Sequence, residues 1–138
     1  MKKQLLIIGF ALFVCLTGFD VNAKKVDVQT AANVAMNIYA ERSGQTGKKA
    51  AISQIIEEKE HGETMFYVFK YEDLGFAIVS AEDAVRPLLG YSFESSFDEN
   101  NHSPAFEFFI LKRLKKQIYA VVQAKKTPNP TTVAEWAK

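Results

Sequence analysis

Cysteine is nearly missing from this sequence. Cys15 is the only one in 138 residues, and it lies inside LLIIGFALFVCLTGF, Leu5 to Phe19, the one long apolar run. Lys2 and Lys3 precede that run, and Val21-Asn22-Ala23 follows with small residues spaced for signal-peptidase cleavage after Ala23. Positive start, short apolar stretch and small-residue site together predict a secretory signal over residues 1–23. The run is too short to favour the rival reading, an uncleaved anchor. Val14 in front of Cys15 argues against a lipoprotein. Cleavage there removes the only thiol, which excludes a disulfide, a thiolate nucleophile and a cysteine metal ligand from residues 24–138.

Other absences narrow the chemistry. His61 and His102 are the only histidines, each in a polar segment that reads as an exposed turn or loop. Nucleophilic catalysis needs an activated side chain with a base in reach, and the two read as exposed turn residues rather than as such a pair. The seven glycines are scattered singly, so there is no phosphate-binding loop and no dinucleotide fingerprint. Glu57, Glu58, Glu60, His61 and Glu63 are dense in acid, but alternate residues of a strand face opposite ways, so they do not converge as metal ligands. Glu82-Asp83 reads as a pair of capping charges at a turn. Residues 24–138 carry 15 basic and 15 acidic side chains, a balance that argues against a nucleic-acid partner. No cofactor, no metal and no catalytic residue is expected; the chain reads as a non-enzyme.

What is present is a fold pattern. Asp27 is placed to cap a helix over Val28 to about Ser43, with Val28, Ala31, Ala35 and Ile38 on one face and Gly44 at its stop. Ala51 to Lys59 reads as an irregular strand, His61-Gly62 as a turn, and Met65 to Tyr71 (MFYVFKY) as the strongest strand. Glu72 to Gly75 turns the chain into Phe76 to Ser80, and Leu88 to Phe93 is a further strand. Ser80 and the acids after it read as the cap of a single helical turn that ends at Arg86-Pro87. Both registers of MFYVFKY are apolar, so this strand is covered on both sides or presents a binding surface.

SSFDENNHSP, Ser95 to Pro104, is a loop of turn-forming residues. Ser103-Pro104 opens a helix to about Gln123 or Ala124, with Phe106, Ile110, Leu114, Ile118, Val121 and Val122 as its buried stripe. Lys112, Arg113, Lys115 and Lys116 read as its solvated face. KTPNP is a linker, and TTVAEWAK a short helix with Trp136 as its anchor. The expected fold is α+β: an antiparallel sheet of about four strands packed with an N-terminal and a C-terminal helix, one face of the sheet covered by helices. The expected organisation is 1–23 signal peptide, 24–126 globular domain and 127–138 tail.

The pieces AANVAMNIYAERSG, MFYVF, GFAIVSAED, RPLLGYS and FDEN occur in that order between about Val28 and Ile118. Together they resemble the prosegment of the streptopain family of papain-like cysteine proteases, and the stand-alone prosegment-like inhibitors related to it. The resemblance implies an antiparallel sheet with helices that covers a protease cleft, and a loop asparagine that keeps the catalytic histidine from its working position. Asn100 matches that asparagine. Phe97, Asp98, Glu99, Asn100 and Asn101 become the expected protease-binding residues. Phe97 anchors the loop base, and Asp98 folds the loop by capping its own backbone. Asn101 stands where the family often has glycine, and Glu99 where it has a smaller residue. Tyr91, Phe93 and Phe97 are candidate interface aromatics, with core packing as the alternative. The sequence ends at Lys138 without a catalytic domain. The expectation is therefore a secreted or periplasmic inhibitor, monomeric when free and off the membrane after signal cleavage, that blocks a streptopain-like cysteine protease in trans without covalent chemistry. A binding or adhesion module on the same fold, and a folding assistant for a protease, are the alternatives.

Overall fold

The computed structural model describes residues 23–45 and 47–138; the expected signal segment, apart from Ala23, lies outside the described residues. Helix α1 spans Val28–Arg42, strands β1 to β4 span Ile52–Glu60, Glu63–Tyr71, Phe76–Ser80 and Leu88–Ser92, and helix α2, Pro104–Phe106, opens the C-terminal helical stretch. A π-helical segment, Glu107–Leu111, follows, then α3, Lys112–Gln123, and α4, Pro130–Trp136. The four strands form one antiparallel sheet in the order β1-β2-β3-β4. The fold is α+β.

The hydrophobic alternation of β2 explains the layering. Tyr67, Phe69 and Tyr71 face one side with Ala77 and Val79 of β3, and pack on Ala31, Ala32, Ala35 and Tyr39 of α1. Phe66 and Val68 face the other side with Phe76 and Ile78, and pack on Leu111 and Ile118. Residues 65–69 are all buried. One face of the sheet therefore carries α1 and the other α3, which corrects the expectation that the helices share one face. Covering on both sides, rather than an exposed apolar face, accounts for the two apolar registers of this strand.

The N-terminal helix begins where the sequence places it. Asp27 accepts from the Thr30 backbone nitrogen at 2.9 Å and from the Thr30 hydroxyl at 2.8 Å. These bonds favour the ionised form and hold the Asp27 carboxyl below its ordinary pKa. Gly44 stands past the end of the helix with φ of 72°. Val28 is exposed rather than buried, and Ala32 and Tyr39 take places in the core instead. Alanines on this face let the backbone of the helix approach the sheet, and Tyr71 Oη donates to the Ala35 carbonyl at 2.6 Å.

The turns follow the sequence. His61 and Gly62, with φ of 50° and 81°, close the β1–β2 hairpin as two left-handed residues. Gly75 has φ of 105°, and a Cβ there would meet the Ser92 carbonyl oxygen and lie 2.8 Å from Phe93 Cα. Residues 82–85 form a turn and not a turn of helix: the Val85 nitrogen donates to the Glu82 carbonyl at 3.1 Å. The Ser80 hydroxyl accepts from the Glu82 nitrogen at 3.0 Å within it. The tail packs on the domain. Asn129 caps α4, Trp136 Nε1 donates to the Val85 carbonyl at 2.9 Å, and the indole rests on the cluster under α1.

The C-terminal helical stretch departs from the expected stripe. Ile110 is 41% exposed, while Leu111 is buried. The Lys112 nitrogen donates to the Glu107 carbonyl, a five-residue step in place of four. That step moves the buried position from 110 to 111, and α-helical spacing then resumes through Leu114 to Ile118.

Candidate functional site

Loop residues 95–103 connect the end of β4 to α2. Phe97 is its floor: the ring is buried and meets Phe76 at 5.3 Å, His102 at 4.6 Å and Phe106 at 6.2 Å, all near edge-on or tilted. It is a core residue under the loop, and what it contributes is the anchoring of the residues above it. His102 is half-buried on Phe97 and Phe106, not the exposed loop residue expected of it.

Above that floor the loop is tied by its own polar groups. The Asn100 nitrogen donates to Asp98 Oδ1 at 3.0 Å, and the Asn101 nitrogen donates to the Asp98 carbonyl at 3.4 Å. Asp98 thus does by a side-chain turn what the sequence suggests. Gln54 Nε2 of β1 donates to Glu99 Oε1 at 2.8 Å, which ties the loop to the sheet edge. Ser103 accepts from the Phe106 nitrogen at 3.1 Å and fixes the exit into α2. Asp98, Glu99, Asn100 and Asn101 are exposed, and neither asparagine has positive φ. The loop side of the molecule carries a cleft of about 450 Å³ whose walls include Tyr91, Phe97, Asn101 and His102.

The other candidate aromatics divide. Phe93 is half-buried against Tyr39 and Tyr71 at 5.6 and 5.9 Å. Tyr91 is 42% exposed, with the Arg42 guanidinium 5.4 Å from its ring centre. Glu82 and Asp83, expected as helix-capping charges, instead hold the N-terminal segment. Asp83 Oδ1 accepts from the Lys24 nitrogen at 2.6 Å, and Lys25 Nζ stands 3.8 Å from Glu82 Oε2. Glu82 is buried with Oε1 unpartnered, and burial raises its pKa. Among the described residues no group of three His, Cys, Asp or Glu side chains is placed to hold a metal ion. No described helix is long and apolar enough to cross a membrane.

One exposed feature escaped the sequence reading. Phe108 and Phe109 are 62% and 63% exposed, beside Ile110. The available signal was FEFFIL, which holds more consecutive apolar residues than one helical stripe can bury.

Comparison with curated proteins finds no match, and comparison with solved structures finds none. The family model described as Spi protease inhibitor matches residues 23–118, which takes in α1, the whole sheet, the tied loop and the helical stretch as far as Ile118. With most of its length matched, this α+β chain belongs to the Spi protease inhibitor family.

Proposed function

We propose that the protein is a secreted, non-covalent inhibitor of a streptopain-like cysteine protease, acting in trans by placing residues 98–101 in the active-site cleft. Asn100 hydrogen-bonds beside the catalytic residues of the protease, and Phe97 holds the loop from beneath. The chain performs no bond-breaking of its own. In this account residues 1–23 are removed on export, residues 24–126 form the inhibitory domain and 127–138 are a tail packed on it.

The observation that carries the proposal is the membership of a protease-inhibitor family together with a loop that is exposed at its tip and tied at its base. Buried Phe97, the Asp98 turn and the Glu99–Gln54 bond order the loop before any partner arrives. A preformed loop avoids the ordering cost that weakens flexible ligands. It also resists productive entry as a substrate, because an extended strand is not available for cleavage.

The test expresses the full-length chain in a secreting host, purifies the exported product and titrates it against a streptopain-fold cysteine protease with a peptide substrate. The expected result is reversible inhibition that competes with substrate and leaves the inhibitor uncut. Lack of inhibition at micromolar concentration overturns the proposal.

A further inference from the structure

Among the described residues, the other large exposed apolar side chains are Val28, Ile55, Leu74, Tyr91 and Val133, spread over separate elements. Phe108, Phe109 and Ile110 are consecutive, and the two phenylalanine rings meet edge to face at 5.2 Å. The π step sets this arrangement: Leu111 enters the core in place of Ile110, so the three residues stand in water together. π segments inside helices recur at functional sites, and an apolar cluster left in solvent marks a contact surface. Lys112, Arg113 and Lys116 follow directly, all exposed and, among the described residues, in no ion pair, whereas Lys115 is drawn to Glu58 at 3.1 Å. The patch is therefore apolar with a basic flank, and the surface that complements it is an apolar depression edged with carboxylates.

We propose that Phe108, Phe109 and Ile110, with Lys112, Arg113 and Lys116, form a second contact with the same protease, outside its catalytic cleft. This rests on the reading that residues 98–101 occupy that cleft. The helix leaves the loop at Ser103, so the phenylalanines stand only about 8 Å further along its axis at 1.5 Å per residue. An interface of standard size covers about 800 Å² per partner, ~30 Å across if round, which is wide enough to reach both. The division of labour differs: the loop blocks chemistry, and the aromatic patch sets residence time and partner choice.

The experiment compares the wild-type chain, Asn100→Ala, the double variant Phe108→Ser/Phe109→Ser and the double variant Lys112→Glu/Arg113→Glu against one streptopain-fold protease. Exposed phenylalanines contribute little to folding, so the first double variant is expected to melt as the wild type does. Its inhibition constant is expected to rise roughly 30-fold or more through faster dissociation. The charge variant is expected to associate more slowly, with the defect fading at high salt. Unchanged inhibition by the phenylalanine variant, with Asn100→Ala weakened, overturns the patch and leaves the loop standing. Absence of inhibition by the wild type overturns both. A wild type that self-associates, with a monomeric phenylalanine variant that inhibits normally, assigns the patch to a second copy and also overturns the proposal.

A separate observation concerns the N-terminus. The Lys24 backbone nitrogen already lies 2.6 Å from Asp83 Oδ1, and the Val26 nitrogen donates to the Ala81 carbonyl at 2.9 Å. We infer that cleavage after Ala23 delivers a new α-ammonium group onto Asp83, so that removal of the leader tightens the fold. The charged groups around it are Asp83, buried Glu82, Lys25 and, through Lys25 at 3.2 Å, Glu63. Pairing raises the folded-state pKa of the ammonium above its unfolded value of about 8. Its stabilisation is complete below that value and is lost as pH rises through the folded pKa. The exported chain is expected to begin at Lys24 and to melt a few degrees higher at pH 7 than after acetylation of its N-terminus, ~2–5 °C. Asp83→Asn is expected to abolish that difference. A mature chain with another first residue, or acetylated and free chains that melt together, overturns the inference.

Discussion

Asn100 and Phe97 are three residues apart and do opposite things. Asn100 is exposed and its backbone is held by Asp98, so Asn100→Ala removes a side chain that makes no hydrogen bond among the described residues. Inhibition is expected to weaken at least tenfold with the melting temperature unchanged; equal inhibition by variant and wild type refutes the loop assignment. Phe97 is buried among Phe76, His102 and Phe106, and Phe97→Ala is expected to cost about 3–5 kcal/mol of folding stability, measured by denaturant unfolding. Glu82 gives a pH prediction. Burial raises its pKa, so the folded state disfavours the carboxylate and this residue's contribution falls as pH rises through the folded pKa. Glu82→Gln is accordingly expected to stabilise the domain by about 1 kcal/mol at pH 7, with the gain shrinking towards zero below pH ~4. A gain that is the same at both pH values contradicts the assignment. Gly75→Ala is expected to be poorly tolerated, since positive φ and the nearby β4 backbone leave no place for a methyl group.

Elements were legible in the sequence where local chemistry and tertiary packing agree. Asp27 and Ser103 cap the helices they were expected to cap, and MFYVFKY forms the central strand. The π segment was not legible, because Glu107 to Leu111 carries no proline, glycine or other local signal that separates a five-residue turn from a four-residue one. The competition among Phe108, Phe109, Ile110 and Leu111 for core positions is decided only when the sheet is present. The end of α3 at Gln123 falls where it was expected, but the left-handed residue that makes the stop was hidden in a residue type that does not announce it. Lys125 takes φ of 46°, its nitrogen donates to the Val122 carbonyl at 3.0 Å, and the Lys126 nitrogen donates to the Val121 carbonyl at 3.3 Å. This is the double-bonded left-handed stop that glycine favours. Lys125→Gly is expected to stabilise the protein by up to about 1 kcal/mol, readable as a shift in denaturant midpoint; destabilisation contradicts it.

At the scale of the whole molecule, a sheet clad by a helix on each face supports a loop that projects from the end of β4. The fold class followed from the order of elements, but the placing of the two helices on opposite faces did not, since either register of an apolar strand satisfies the same pattern. The candidate loop was legible only through resemblance: SSFDENNHSP by composition is a turn-rich loop and no more. Its ties to Phe76 and Gln54 depend on residues far away in the sequence. The account's central claim is that this loop covers the catalytic groove of a cysteine protease. The most direct measurement is the rate at which the protease's catalytic thiol is alkylated by iodoacetamide as the chain is added. Alkylation is expected to slow in proportion to complex formed, and to slow less with Asn100→Ala at the same concentration. A complex that forms while the thiol is alkylated at the rate of the free protease would contradict the account.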